Sequence, residues 1–240
     1  CGRWTLSLHA GRLTVQDLWD KHPAPSQPAP EGVTYTTAVA IARGGVPWWW
    51  DQRSLGNARG RCLAVSRRAL WGALHASPSG AHLLLQLARE LLVIDPEAGA
   101  IVCRWPAPKH ADCAVTDAQT VVVVGHDGVR WYDGARGALL AWHKRRLPEG
   151  MLLAVDPRGD HVALARRGGT AVELIARAAP DQHATSVVAQ GITAVAFSPD
   201  GSQLAVASLE SPVRLFALDA LLGVVALQEA PARRTRKEKP

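Results

Sequence analysis

Cysteine is scarce in this chain, with four in 240 residues. Cys1, Cys62, Cys103 and Cys113 form no C-x-x-C pair and no His/Cys cluster at zinc spacing. A disulfide scaffold is excluded, and buried reduced thiols in a cytosolic protein are expected. No apolar run approaches the roughly 20 residues a membrane helix needs. Also missing are a G-x-x-x-x-G-K-[ST] phosphate loop, a G-x-S-x-G nucleophile elbow and an H-E-x-x-H motif. The nine histidines nominate no catalytic set by their spacing, and His75 and His161, on apolar strand patterns, read as structural. Neither a cofactor nor a metal is expected. Two Tyr and two Phe stand against nine Trp, and three of those tryptophans are consecutive in "VPWWWDQRSLG", residues 46–56.

What is present describes a packed chain: 48% of residues are apolar and 20% charged, a globular balance. The net charge of +6 sits partly in "PARRTRKEKP", a polar tail with no reason to pack. The chain opens on Cys-Gly and runs at once into the strand pattern "RWTLSLHAGRLTVQDLW". That reads as a cleaved or truncated chain, with a lipid-bearing terminal cysteine as the alternative.

A repeat of about forty residues runs through the second half. Four segments, beginning at "LWGALHASPSG", "DCAVTDAQT", "LLAVDPRGD" and "ITAVAFSPDG", each read strand, turn, strand, turn, strand, turn, strand. S-P-S-G, D-P-R-G and S-P-D-G pair a φ-fixed proline with a glycine free to take positive φ. The strands between them, such as "TVVVVG", are apolar at successive positions and so covered on both faces. A sheet packed between two copies of itself is the blade of a β-propeller.

On these residues the chain resembles the WD-repeat family over most of its length, with Ala194–Asp219 nearest to the usual repeat. The family's Trp-Asp pair at the end of the third strand corresponds to Tyr132 and Asp133, Ile94 and Asp95, Ile175 and Ala176, and Phe216 and Ala217. Gln16-Asp17 and Trp50-Asp51 are expected to fill the same place upstream, which makes the triple tryptophan a third strand whose rings are largely core. The Gly-His that opens a usual repeat is missing, since Gly125-His126 falls in another turn, so the His/Ser/Asp/Trp network of the family is not carried over. The resemblance implies an all-β propeller of four-stranded antiparallel blades. Residues 1–20 form a partial blade that begins at its second strand, 21–32 a Pro-rich loop, 33–68 a degenerate blade, 69–229 four WD-like blades, and 230–240 a basic tail. The missing remainder of the ring is expected from elsewhere in a longer protein or from another chain.

Charge divides between the two rims. Loops joining second to third strands, or one blade to the next, hold Arg43, Arg67, Arg68, Arg89, Lys109, Lys144, Arg145, Arg146, Arg166 and Arg167, against Glu90, Asp127, Glu149 and Glu210. The opposite loops hold Asp95, Glu97, Asp117, Asp133, Asp156, Asp160, Asp181, Asp200 and Asp219, against Arg136, Arg158 and Arg177. Turn chemistry explains the acids; it does not explain the basic rim, which suits an acidic partner. A protein surface is preferred to nucleic acid, because stacking aromatics are not obvious among those loops. The expectation is a non-catalytic interaction or regulatory module of a larger, bacterial-type assembly, with a funnel hydrolase or a nucleic-acid binder as alternatives.

Overall fold

A computed structural model describes strand residues 4–9, 12–17 and 27–28 and residues 38–50, 54–57, 59–60, 62–65, 72–108 and 111–222. The expectations for Cys1, Asp51, Arg67, Arg68, Lys109, most of the Pro-rich loop and the basic tail lie outside the described residues. Six antiparallel sheets follow one another along the chain. Blade 1 is β1 (Trp4–His9), β2 (Arg12–Asp17) and β3 (Gln27–Pro28); blade 2 is β4 (Ala38–Ala42), β5 (Val46–Trp50), β6 (Ser54–Asn57) and β7 (Cys62–Ala64). Blade 3 is β8 (Gly72–Ala76), β9 (Leu83–Leu87), β10 (Glu90–Asp95) and β11 (Ala100–Pro106); blade 4 is β12 (Asp112–Val115), β13 (Thr120–Gly125), β14 (Gly128–Asp133) and β15 (Leu139–Lys144). Blade 5 is β16 (Met151–Val155), β17 (His161–Arg166), β18 (Ala171–Ala176) and β19 (Ala179–Val187); blade 6 is β20 (Ile192–Phe197), β21 (Gln203–Ser208) and β22 (Arg214–Ala217).

Within each sheet strands pair in sequence order, and between blades first strands meet: β4 packs on β8, β8 on β12, β12 on β16 and β16 on β20. That arrangement is a β-propeller. The expected turn glycines take positive φ, at 74° for Gly80, 77° for Gly159 and 76° for Gly201. In blade 4 the same position is held by Gln119, the non-glycine residue with positive φ (58°) among the described residues.

Two strand positions differ from expectation. The triple tryptophan is β5, the second strand of blade 2, because Ala38–Ala42 supplies a first strand ahead of it, with Ala38 opposite Trp50 and Ala40 opposite Trp48. The third strand is therefore β6, and its end is Gly56-Asn57. There Asn57 Oδ1 accepts the Arg59 amide at 2.9 Å, the turn that Asp95 makes with Glu97 and Asp133 with Ala135, each at 2.8 Å. Asn57, not Asp51, stands at the repeat's aspartate position. Likewise β1 meets β4 as first strands do elsewhere, so blade 1 begins at its first strand. The Pro-rich stretch is not wholly an excursion either, since Pro28 pairs with Arg12 and Gln27 with Leu13.

The tryptophans are core all the same. Trp48 is 0% exposed and Trp50 1%, packed with Leu55, Leu83, Leu85 and Leu92 between blades 2 and 3, each ring contributing on the order of 2–3 kcal/mol by burial. Trp49, on the other face, is half-buried over Gly56, where a Cβ would meet its ring at 3.0 Å. Neither Trp48 Nε1 nor Trp50 Nε1 has an acceptor, which takes back part of that gain.

After β22 the chain turns helical over residues 218–222. Leu, Asp, Ala, Leu, Leu contains no β-branched residue, and Leu218 and Leu221, one helical turn apart, both bury against the blade 5 and 6 core. The other face of blade 6 is open: Ala196 pairs with Ala205 and Ala205 with Leu215, and Leu215 is 66% exposed.

Candidate functional site

The rim carrying the first-to-second and third-to-fourth strand turns, here the lower rim, uses its acids internally. Asp95 and Asp133 cap their own turns. Asp156 accepts the Asp160 amide and faces His161 Nδ1 at 3.1 Å. Burial would raise its carboxyl, but the His161 contact and the Asp160 and Gly159 amides outweigh that and hold it below the ordinary carboxylate range. Asp200, bonded to Ser198 and Ser202, is held down at about 2, chiefly by the Ser198 hydroxyl. Asp160 pairs with Arg177 at 2.7 Å. These five carboxylates fasten turns within their own blades.

Arg43 also belongs here. With β4 and β5 as first and second strands, Arg43 stands in the turn between them, and its amide donates to Gly80 O at 2.8 Å. The expected place of Arg43 on the basic rim is overturned by the one-strand shift of blade 2.

On the upper rim lie Arg89 between β9 and β10, Lys144, Arg145 and Arg146 at and after the end of β15, and Arg166 and Arg167 at and after the end of β17. They are not equivalent. Arg145 is bound to Glu173, a largely buried residue of β18. Lys144 Nζ stands 5.2 Å from the centre of the Trp142 ring, with Arg130 over the same ring at 4.5 Å. Arg130 is also paired with Asp127; that pairing outweighs the modest burial of Asp127 and holds its carboxyl below the ordinary range. Arg89, Arg146, Arg166 and Arg167 are exposed and among the described residues make no side-chain hydrogen bond or ion pair.

Two features of this rim were not singled out in the sequence. Trp142 and Arg130 are cross-strand partners, a pairing invisible until the register is known. Beside the arginines, the β21–β22 loop presents Leu209 at 81% and Val213 at 63% exposure, large apolar groups of the sort that mark interaction surfaces.

Three residues of catalytic or redox type, His75, Cys103 and Cys113, lie on strands of blades 3 and 4. His75 on β8 has its pKa lowered by burial, with Gln86 and the Asp112 carboxylate pulling the other way. Cys103 and Cys113 are both free, on the outermost strand of blade 3 and the first strand of blade 4. Burial first, and Asp112 second, push the Cys113 thiol up to about 12, so it is a core group and not a nucleophile.

No protein-family model matches the chain, and no curated protein matches it either. Among solved structures 1284 chains match. One is the crystal structure of the Myceliophteria thermophila Cps50 (Swd1) β-propeller domain, at 15% identity and a TM-score of 0.66, covering 91% of this chain and 81% of that one. The likeness shows a β-propeller fold. So widely shared a fold does not single out a task. No helix among the described residues is long and apolar enough to cross a membrane.

Proposed function

We propose that this chain is a non-catalytic interaction or regulatory module, cytoplasmic and working inside a larger protein or complex, whose upper rim docks an acidic protein partner. The observation that carries the reading is the contrast between the rims. Below, Asp95, Asp133, Asp156, Asp160 and Asp200 are bonded within their turns, whereas Arg89, Arg146, Arg166 and Arg167 above are exposed and unpaired among the described residues, contributed by blade 3, the blade 4 to 5 connection and blade 5. Guanidinium groups held on rigid loops recognise carboxylates in pairs of hydrogen bonds, and the exposed Leu209 and Val213 add the apolar area such docking needs. Arg67, Arg68 and Lys109 belong to the same loops by sequence and extend the proposed surface, with Lys144 and Arg145 at its outer edge. The open face of blade 6 offers a second place where a partner could add a sheet.

The test compares complexes recovered from the protein's source by native mass spectrometry, using the chain with Arg89, Arg146, Arg166 and Arg167 all changed to Glu. A control carries Arg136→Glu and Arg158→Glu on the lower rim. A protein partner kept by the control and lost by the upper-rim variant supports the proposal. A partner retained by the upper-rim variant sinks it, and recovery of nucleic acid with a steep salt dependence replaces it with the nucleic-acid reading.

A further inference from the structure

Three side chains from two blades converge where the outer strand of blade 4 meets blade 5. His143 of β15, Glu173 of β18 and His183 of β19 each bring a ligand-capable atom to within 4.8 Å of the others. Strand register explains the meeting. His143 pairs with Val129, which faces blade 5, and His183 pairs with Ile175, which faces blade 4. Glu173, two residues before Ile175, shares that face.

The two inner groups are buried with unused valence. His143 is 4% exposed and Glu173 9%. The His143 ring donates from Nδ1 to the Pro180 carbonyl, so Nε2 carries a lone pair, and that atom is buried without a partner. Glu173 Oε2 accepts from Arg145, while Oε1 is buried without a hydrogen bond and lies 3.8 Å from His183 Nε2. An unpaired imidazole nitrogen and an unpaired carboxylate oxygen, each buried on residues that meet between two sheets, are costly to keep unless something electrophilic joins them.

We propose that His143, Glu173 and His183 form a binding site for a divalent transition-metal ion of the zinc class, bridging blades 4 and 5. Two imidazoles and one carboxylate suit zinc, copper or nickel and not magnesium or calcium. Three protein ligands leave a fourth position, and the exposed His183 provides the way in. Ligand atoms around tetrahedral zinc stand roughly 3.3 Å apart, so the 3.8 Å gap between His183 and Glu173 needs only a small turn of the His183 ring. The outer partners are in place: Pro180 O fixes the His143 tautomer, and Arg145 holds the far oxygen of Glu173. Arg145 also has a second nitrogen 3.4 Å from His183 Nε2. Its side chain is partly exposed and can release that nitrogen while keeping Glu173.

The experiment uses the whole chain without a polyhistidine tag, stripped with chelator, titrated calorimetrically with zinc and optically with cobalt(II). Stoichiometric zinc binding, a cobalt spectrum of the four-coordinate type and a zinc-dependent rise in Tm are expected. His183→Ala, at an exposed position, should leave the fold intact and weaken zinc by at least the roughly 10- to 100-fold typical of losing even an outer partner. Glu173→Gln should do the same, while His126→Ala, an exposed histidine outside the cluster, should bind as the parent does. Absence of stoichiometric zinc binding overturns the site and leaves Arg145 as the only counter-charge of Glu173. Zinc binding unchanged by both His183→Ala and Glu173→Gln overturns it equally.

Discussion

Ser79 gives both its hydroxyl and its amide to one oxygen of Asp117, at 2.6 and 2.9 Å, across the boundary between blades 3 and 4. Asp117 in turn donates its amide to Pro157 O at 3.1 Å in blade 5, and on the other side Arg43 donates to Gly80 O at 2.8 Å. The first turns of blades 2 to 5 are thus linked along the lower rim. This fastening sets the relative rotation of blades whose contact is otherwise apolar and non-directional. Asp117→Ala should lower unfolding stability by about 1 kcal/mol, the worth of charge-assisted bonds discounted for exposure. Asp117→Asn, which keeps an acceptor oxygen, should recover much of it. Urea denaturation of the two variants decides; equal losses would mean that charge and not hydrogen bonding joins the turns.

Gly72 opens blade 3 directly beneath the indole of Trp50, and a Cβ there would stand 2.8 Å from Trp50 Nε1 and 3.0 Å from Leu87. Both neighbours are core residues locked between blades, so they cannot swing clear. Gly72→Ala should cost about 1–3 kcal/mol as overpacking and shift the tryptophan emission of the folded state. Trp50→Phe in the same chain should relieve part of the loss, a coupling that a double-mutant cycle would read. If the two substitutions simply add, Trp50 is not what Gly72 makes room for.

Turn chemistry was the part of this fold most legible in the sequence, because S-P-S-G, D-P-R-G and S-P-D-G state their backbone geometry in residue types. The Asp133 and Asp95 positions came instead from the resemblance to the WD repeat, and both residues cap their turns. Blade 2 slipped by one strand for a specific reason. Its first strand, Ala-Val-Ala-Ile-Ala, is short and mostly alanine, a weak strand signal, whereas Trp50-Asp51 imitates the pair that ends a third strand. The Asn57 side chain, capping a turn as Asp95 does, was the better marker. The upper rim was legible as charge but not as chemistry. Which arginines are free depends on partners such as Glu173 and Asp127, and the meeting of His143, Glu173 and His183 spans two blades and leaves no spacing to read.

His75 makes the stability of blade 3 depend on pH. Burial lowers its pKa from the ordinary 6.5, against the opposing pull of Gln86 and Asp112. The folded state therefore prefers the neutral ring, and the unfolded chain binds the proton first as pH falls. The stabilisation is complete above about 6.5 and is lost progressively below it, toward the lowered folded value. Asp112, whose carboxyl is raised by burial, has the opposite sign and acts only at lower pH, in the carboxylate range. His75→Gln should flatten the decline of Tm between neutral pH and about pH 5. An unchanged slope would show that His75 is protonated as readily in the fold as out of it.

Gln119 stands in the turn of blade 4 where the other repeats place glycine, at φ 58°. The turn is otherwise the same: its amide donates to Thr116 O at 3.0 Å as the Gly80 amide does to Ser77 O at 2.8 Å and the Gly159 amide to Asp156 O at 3.0 Å. A side chain in the left-handed region costs about 1 kcal/mol or more, and nothing in the turn uses the Gln119 amide group, because the bond that ties the residue to Gly134 comes from its backbone carbonyl, at 2.8 Å. Gly134 also bars the reverse arrangement, since a Cβ there would come within 2.4 Å of that carbonyl oxygen. Gln119→Gly should therefore stabilise the chain by about 0.5–1 kcal/mol, the strain relieved less the entropy that glycine adds to the unfolded state. A rise in the urea midpoint at constant m-value is the expected reading. A fall would mean that the contact between the Gln119 stem and the Gly134 turn contributes more than the strain costs.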